Sequence, residues 1–156
     1  MKSYQGSREY IAFCYSVKDR NAAETIAAKL NEERIRVWST QRGCCVKRRD
    51  ELERLAAART VLILVSKNWL ADETCKMQVR AATELGKQLV MLFLNGVTLI
   101  QHEDVSMMLG RDVRMIDYLP ESAWVCWQEL MELEAVTDCK MDLDEKPDTK
   151  RTGWFS

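Results

Sequence analysis

Apolar positions recur along the chain in two alternating rhythms. Short apolar runs stand at residues 10–15, 61–65 and 89–94, each with the length of a strand, and 61–65 is apolar on both faces; strands are expected at 10–15, 60–65, 89–94 and 113–117. Between them, apolar residues return every three or four positions, the period of a helix with one covered side. Residues 21–33 carry Ala23, Ile26, Ala27 and Leu30 in this way, with Asn21 placed to cap the helix start. Residues 47–58 repeat the pattern through Leu52, Leu55 and Ala56, and 72–85 form a further helix closed by Gly86. A short strand is expected at 36–39 and a short helix at 103–109. The last helix is expected at 122–134, with Trp124, Trp127, Leu130 and Leu133 on its apolar face.

Parallel neighbours need crossovers, and helices supply them. The alternation therefore predicts a flavodoxin-like α/β domain, a five-stranded parallel sheet of order 2-1-3-4-5 with helices on both faces. Residues 1–136 are expected to form this single domain. Residues 137–156 read as a polar tail that frays, tipped by Trp154 and Phe155.

Composition narrows the function. The chain of 156 residues has a formal net charge of -1 and is 47% hydrophobic and 30% charged, which suits a soluble globular domain and gives no argument for nucleic acid. The basic run Lys47, Arg48, Arg49 meets Asp50 and Glu51 at once and reads as a solvated helix start. No apolar stretch reaches the roughly 18 residues needed to span a bilayer, and the first residues lack the pattern of a signal peptide. The expectation is a cytoplasmic protein whose six cysteines stay reduced. Those cysteines form no C-x-x-C pair and the chain has one histidine, His102, so no metal site is expected. His102 is expected to be exposed.

In an open parallel sheet, ligands bind beyond the carboxyl ends of the strands where the strand order reverses. Here that point lies between strands one and three. It gathers residues 16–19, residues 66–68 and the helix starting at Asp72, with Trp38 and Ser39 at the rim. A dinucleotide fold of the G-x-G-x-x-G type is excluded, because Ser16-Val17-Lys18-Asp19-Arg20 holds no glycine. P-loop and flavodoxin phosphate sites fail for the same reason. A phospho-receiver needs an aspartate ending strand three, where this chain has Val65 and Ser66.

Four segments resemble the Toll/interleukin-1 receptor (TIR) family. Tyr10-Ile-Ala-Phe-Cys-Tyr-Ser-Val-Lys-Asp19 resembles its opening box, and Arg36-Val-Trp-Ser39 its second strand. Leu64-Val-Ser-Lys-Asn-Trp-Leu-Ala-Asp-Glu-Thr-Cys75 resembles the stretch where a serine and an aromatic precede Trp-Cys. Leu85-Gly-Lys-Gln-Leu-Val90 resembles the entry to strand four. The likeness spans residues 9–134, with the variable BB loop at 40–47. Departures are Ser39 for a common aspartate, Gly43-Cys44-Cys45 for Pro-Gly, Thr74 for tryptophan, and Gln78 where TIR enzymes carry a glutamate three residues after the cysteine.

The resemblance implies a TIR-type NAD+ nucleosidase or ADP-ribosyl cyclase cleaving the nicotinamide–ribose bond, most similar to freestanding bacterial TIR enzymes of antiphage immunity. It implies NAD+ as substrate and no required cofactor. Gln78 is then the catalytic position, with Ser16, Lys18, Asp19, Trp38, Ser39, Gly43, Thr74 and Cys75 around the substrate. Partners are NAD+ or an ADP-ribose derivative, and other TIR domains in a homo-oligomer through the BB loop, with no nucleic acid or membrane. A carboxylate beside the ribose stabilises the cation that forms as nicotinamide leaves, and glutamine keeps the shape but not the charge. The chain is therefore expected to be impaired, whether glutamine is natural there or a deliberate replacement. Two further readings stand beside this one: a non-catalytic TIR scaffold and a nucleotide-binding sensor. Individual residues also have two readings. Trp38 stacks on nicotinamide or closes the rim, and Ser16 binds phosphates or caps its loop. Cys75 reads as a packed small hydrophobe rather than a nucleophile, and Glu84 as a surface ion-pair partner rather than a displaced catalytic group.

Overall fold

The computed structural model describes residues 3–39 and 48–145. Its core is a parallel sheet of five strands in the order β2-β1-β3-β4-β5, made of β1 (Ile11–Cys14), β2 (Val37–Trp38), β3 (Thr60–Val65), β4 (Gln88–Leu94) and β5 (Val113–Tyr118). The register pairs Ala12 with Val61 and Leu62 with Val90, so β3 is partnered along its whole length by β4 and from Thr60 to Ile63 by β1. That position explains its composition: all six of its residues are buried.

Alternate residues of the central strands point to opposite faces, which splits the core in two. On one face Val61, Ile63 and Val65 pack with Ala12, Cys14, Met91 and Phe93. This layer is covered by α2 (Arg49–Ala57), α3 (Lys67–Leu70), α4 (Glu73–Glu84) and α5 (Glu103–Met108). On the other face Leu62 and Leu64 pack with Ile11, Phe13, Val90 and Leu92, beneath α1 (Arg20–Glu32), α6 (Ala123–Met131) and α7 (Glu134–Thr137). Burying each Leu, Ile or Val in such a layer contributes about 1.5–3 kcal/mol. None of the described helices is long and apolar enough to cross a membrane.

Several local expectations are corrected. Helix α1 begins one residue before Asn21, which therefore caps nothing; its N-cap is Asp19, without a side-chain bond. The chain reaches α1 through a 3-10 turn, Val17–Asp19, that Ser16 caps. The helix α3 is absent from the apolar pattern because four residues are too few to show a period. The last helix breaks after Met131, and its buried side chains are Cys126 and Leu130, while Trp124 is 64% exposed. Trp124 and Cys126 are two positions apart, and a 3.6-residue turn carries those positions to different sides. His102 is half-buried.

The largest departure concerns the chain beyond Thr137. Instead of fraying, residues 138–145 turn back along the outer edge of β2. Cys139 is fully buried, Arg36 N–H donates to the Cys139 carbonyl at 2.8 Å, and Met141 N–H donates to the Arg34 carbonyl at 2.8 Å. Ile35 and Lys140 form an antiparallel bridge, and Arg36 grips Glu145 through two hydrogen bonds of 2.8 and 2.6 Å. A polar sequence need not be loose when its charges have a fixed partner. Trp154 and Phe155 lie outside the described residues.

Candidate functional site

The carboxyl ends of β1 and β3 open into a cleft of about 300 Å³ lined by Ser16, Lys18, Asn68, Ala71, Asp72, Glu73 and Thr74. Each wall has a local cause. After β1, Ser16 Oγ accepts from Lys18 N–H at 3.3 Å and its carbonyl accepts from Asp19 N–H at 2.8 Å, which folds the loop into its 3-10 turn. After β3, Ser66 Oγ accepts from Trp69 N–H at 3.0 Å and starts α3. Asp72 Oδ1 then accepts from Thr74 N–H at 2.9 Å and Cys75 N–H at 3.2 Å, starting α4. Two N-cap residues six positions apart were the available signal for the extra helix.

Asp19 ties the two loops together. One carboxylate oxygen accepts from the Ser66 hydroxyl and the other accepts from Asn68 Nδ2 at 2.9 Å. The floor of the cleft is thus held by a charged acceptor with two donors from the opposite strand's loop, a strong form of hydrogen bond. The two carboxylates on the wall are engaged nearby: Asp72 in its cap, and Glu73 with Lys76 Nζ at 2.8 Å. Lys76 also meets Asp104 at 2.7 Å. Hydrogen bonding to Asp104, then to Glu73, raises the Lys76 pKa, and Lys76 in turn lowers that of Asp104. The ammonium is therefore fixed as a cation joining α4 to α5.

The residues singled out in the sequence divide into groups. Ser16, Lys18 and Thr74 line this cleft, and Asp19 braces it. Trp38 is 4% exposed within the core, with the Arg54 guanidinium 5.8 Å from its ring. Ser39 is buried and donates to the Phe13 carbonyl at 2.9 Å, while its own N–H donates to Ser3 Oγ at 2.9 Å. A hydrogen bond with Ser39 only partly offsets the burial that pushes the Tyr15 phenol up to about 12. Gly43 and the rest of the 40–47 loop lie outside the described residues.

Cys75, Gln78, Val79 and Ala82 form the buried row of α4, three and four residues apart, the side of the helix turned to the sheet. Gln78 has no exposed surface, and it is not among the residues lining the cleft. Cys75 is disulfide-bonded, which corrects the expectation of six reduced thiols: pairing depends on Cα separations that sequence spacing does not give. Cys14, Cys126 and Cys139 are buried, and burial pushes the last two up to about 12. The wall positions Ala71 and Glu73 carried no signal of their own, since they follow only from where α3 stops and α4 starts.

Chemically, the cleft offers one cation, two hydroxyls, an amide and the rim carboxylates, with a volume at the small end of the roughly 300–1,000 Å³ of small-molecule sites. It lies at the switch point of a 2-1-3-4-5 sheet. No curated protein sequence matches the chain. A family model described as TIR domain matches residues 11–131, more than three quarters of the chain, from the first strand to the end of α6. The chain therefore belongs to the TIR-domain family.

Proposed function

We propose that this TIR domain acts by assembling with other TIR domains, copies of itself included, and does not turn over NAD+. Family membership supports either NAD cleavage or TIR–TIR signalling, and one observation favours the second. The side chain at the position of the family's glutamate, Gln78, is a neutral amide with no exposed surface, in the sheet-facing row of α4. Cleavage needs negative charge against the ribose as nicotinamide leaves. An amide lacks that charge, and a side chain without accessible surface makes no contact with a sugar in this arrangement. Loss of one such electrostatic group costs on the order of a hundredfold or more in rate.

A second reading rests on the cleft itself. Ser16, Lys18, Asn68 and Thr74 could hold NAD+ or an ADP-ribose derivative without cleaving it, with no cofactor required. A domain of this kind would sense nucleotide and change its assembly in response.

The experiment follows NAD+ loss by the unaltered chain and by Gln78→Glu, alongside sedimentation velocity over a wide concentration range. The expected result is no turnover by either protein and a mass that rises with concentration. Turnover by the unaltered chain would overturn the non-catalytic reading, and a hundredfold gain in Gln78→Glu would overturn the argument from burial and leave the missing charge as the cause. A monomer at every concentration, alone and with other TIR domains, would overturn assembly.

A further inference from the structure

A separate cleft, of about 350 Å³, opens beyond the carboxyl ends of β3 and β4, lined by Lys67, Leu70, Ala71, Val97, Thr98 and His102. It shares only Ala71 with the cleft at β1 and β3: α3 gives Asn68 to that one and Lys67 and Leu70 to this one. Both walls are fixed by the backbone. On the α3 side, the N–H groups of Leu70 and Ala71 donate to the Ser66 and Lys67 carbonyls at 3.0 and 3.1 Å, and Leu70 is buried in the core. On the other side, Asn95 and Gly96 turn the chain after β4 with φ of +54° and +77°. Val97 N–H then donates to the Leu94 carbonyl at 3.2 Å and His102 N–H to the Leu99 carbonyl at 2.9 Å, while Val97 and Leu99 pack against the core. A cavity between anchored walls needs little ordering to take a ligand.

Leu70, Ala71 and Val97 supply hydrocarbon to this cleft, Lys67 an ammonium and Thr98 a hydroxyl. The Thr98 oxygen accepts from Ile100 N–H at 3.4 Å, which leaves its hydrogen to donate. The carboxylates nearest in sequence lie elsewhere. Asp72 accepts from the Thr74 and Cys75 N–H groups, Asp104 pairs with Lys76, and neither these nor Glu103 lines the cleft. Among the described residues, Lys67 has no ion-pair partner. An apolar cavity with one unneutralised cation complements an apolar molecule with one negative charge. We propose that this cleft binds a compact organic acid, a body of one or two rings carrying a single carboxylate. The body packs on Leu70, Val97 and His102, and Lys67 and Thr98 take the carboxylate. The volume lies near the lower bound of the roughly 300–1,000 Å³ of small-molecule sites, which favours a ligand of that size over a dinucleotide. The site is independent of TIR–TIR assembly and of the cleft at β1 and β3.

The test titrates the full-length chain with naphthoate and, separately, with its neutral amide, naphthamide. His102 is the one histidine of the chain, so a single imidazole signal in carbon–proton correlation spectra reports on this cleft. That signal should shift saturably with naphthoate in the millimolar range or below. Naphthamide should bind about threefold to fivefold more weakly, the share of a solvent-exposed ion pair. Lys67→Gln, at an exposed position, should weaken naphthoate by the same factor and leave naphthamide unchanged. Thr98→Trp, also at an exposed position, should fill the cleft and abolish both shifts. Circular dichroism establishes that each variant is folded, and if one is not, the acid and amide compared on the unaltered chain still decide. The absence of a saturable shift in the unaltered chain overturns the site. Equal binding of acid and amide overturns the recognition of charge, and a naphthoate shift that survives Thr98→Trp overturns the location.

Discussion

The guanidinium of Arg36 and the carboxylate of Glu145 lie 109 positions apart in the chain and meet in two side-by-side hydrogen bonds. The pair is nearly withdrawn from solvent, with side-chain exposures of 4% and 15%, so screening is weak and the loss of one partner strands the other. Glu145→Gln is expected to cost about 2 kcal/mol, the range for a hydrogen bond to a charged group, read as a shift of the urea midpoint at neutral pH.

The same pair sets a pH dependence. Hydrogen bonding to Arg36 holds the Glu145 carboxyl below its usual value, so its stabilisation is complete above the unfolded pKa of about 4.3 and is lost as pH falls through the folded pKa. The difference in urea midpoint between the unaltered chain and Glu145→Gln should be full at pH 6 and shrink towards pH 3. A difference that stayed constant across that range would show that Glu145 acts through something other than its charge.

Asp19 joins the loops after β1 and β3 by accepting from Ser66 and Asn68. Asp19→Ala should destabilise the domain by about 1–3 kcal/mol, because two donors lose a charged acceptor. Amide exchange at Trp69, whose N–H donates to Ser66 Oγ, should quicken more than exchange in β3. Equal quickening in both would mean global loosening, with no particular role for the cleft floor.

Gln78 is fully buried, so Gln78→Glu places an ionisable group where charge is poorly solvated. Desolvation raises such a carboxyl's folded pKa above the unfolded value of about 4.3. The variant should match the parent below that value and lose stability as pH rises from it to the folded pKa, by about 2 kcal/mol or more at neutral pH. Denaturant midpoints from pH 4 to 8 check this, separately from any assay of NAD+.

Gly86 follows the C-cap of α4 with a φ of +69°. Its N–H donates to the Thr83 carbonyl and that of Lys87 to the Ala82 carbonyl, the Schellman pattern. A Cβ here would meet nothing within 4 Å, so Gly86→Ala should cost only the backbone term, about 1 kcal/mol. A thermal melt showing a much larger loss would point to a contact outside this turn.

The strands and their order could be read from the chain because burial on both faces leaves β3 apolar from Val61 to Val65, with Thr60 at its start bonded to the Ala135 carbonyl, and leaves little room for polar residues in β4. The cleft was legible for a related reason: strand order fixes where a parallel sheet opens, and Ser16, Lys18 and Thr74 fall there whatever their neighbours. Depth was not legible. Gln78, Trp38 and Ser39 stand at the right places along their elements, yet their burial depends on how neighbouring elements cover them. The course of residues 138–145 escaped for a different reason, since Asp142 and Glu145 look like ordinary tail charges until Arg8, Arg34 and Arg36 are brought opposite. Arg34 itself sits at φ +61°, where glycine is usual after a helix, and its guanidinium binds the Asp142 and Glu145 carbonyls.

Covering β2 with residues near both ends of the described chain also has a consequence for synthesis. Tyr4 N–H reaches the Val37 carbonyl early, but Lys140 and Glu145 emerge from the ribosome more than a hundred residues after Ile35. Throughout that interval the nascent chain carries an unsealed strand edge, the kind of surface that invites aggregation and engages chaperones. Translation stalled before residue 140 would leave most of the sheet formed and its border open.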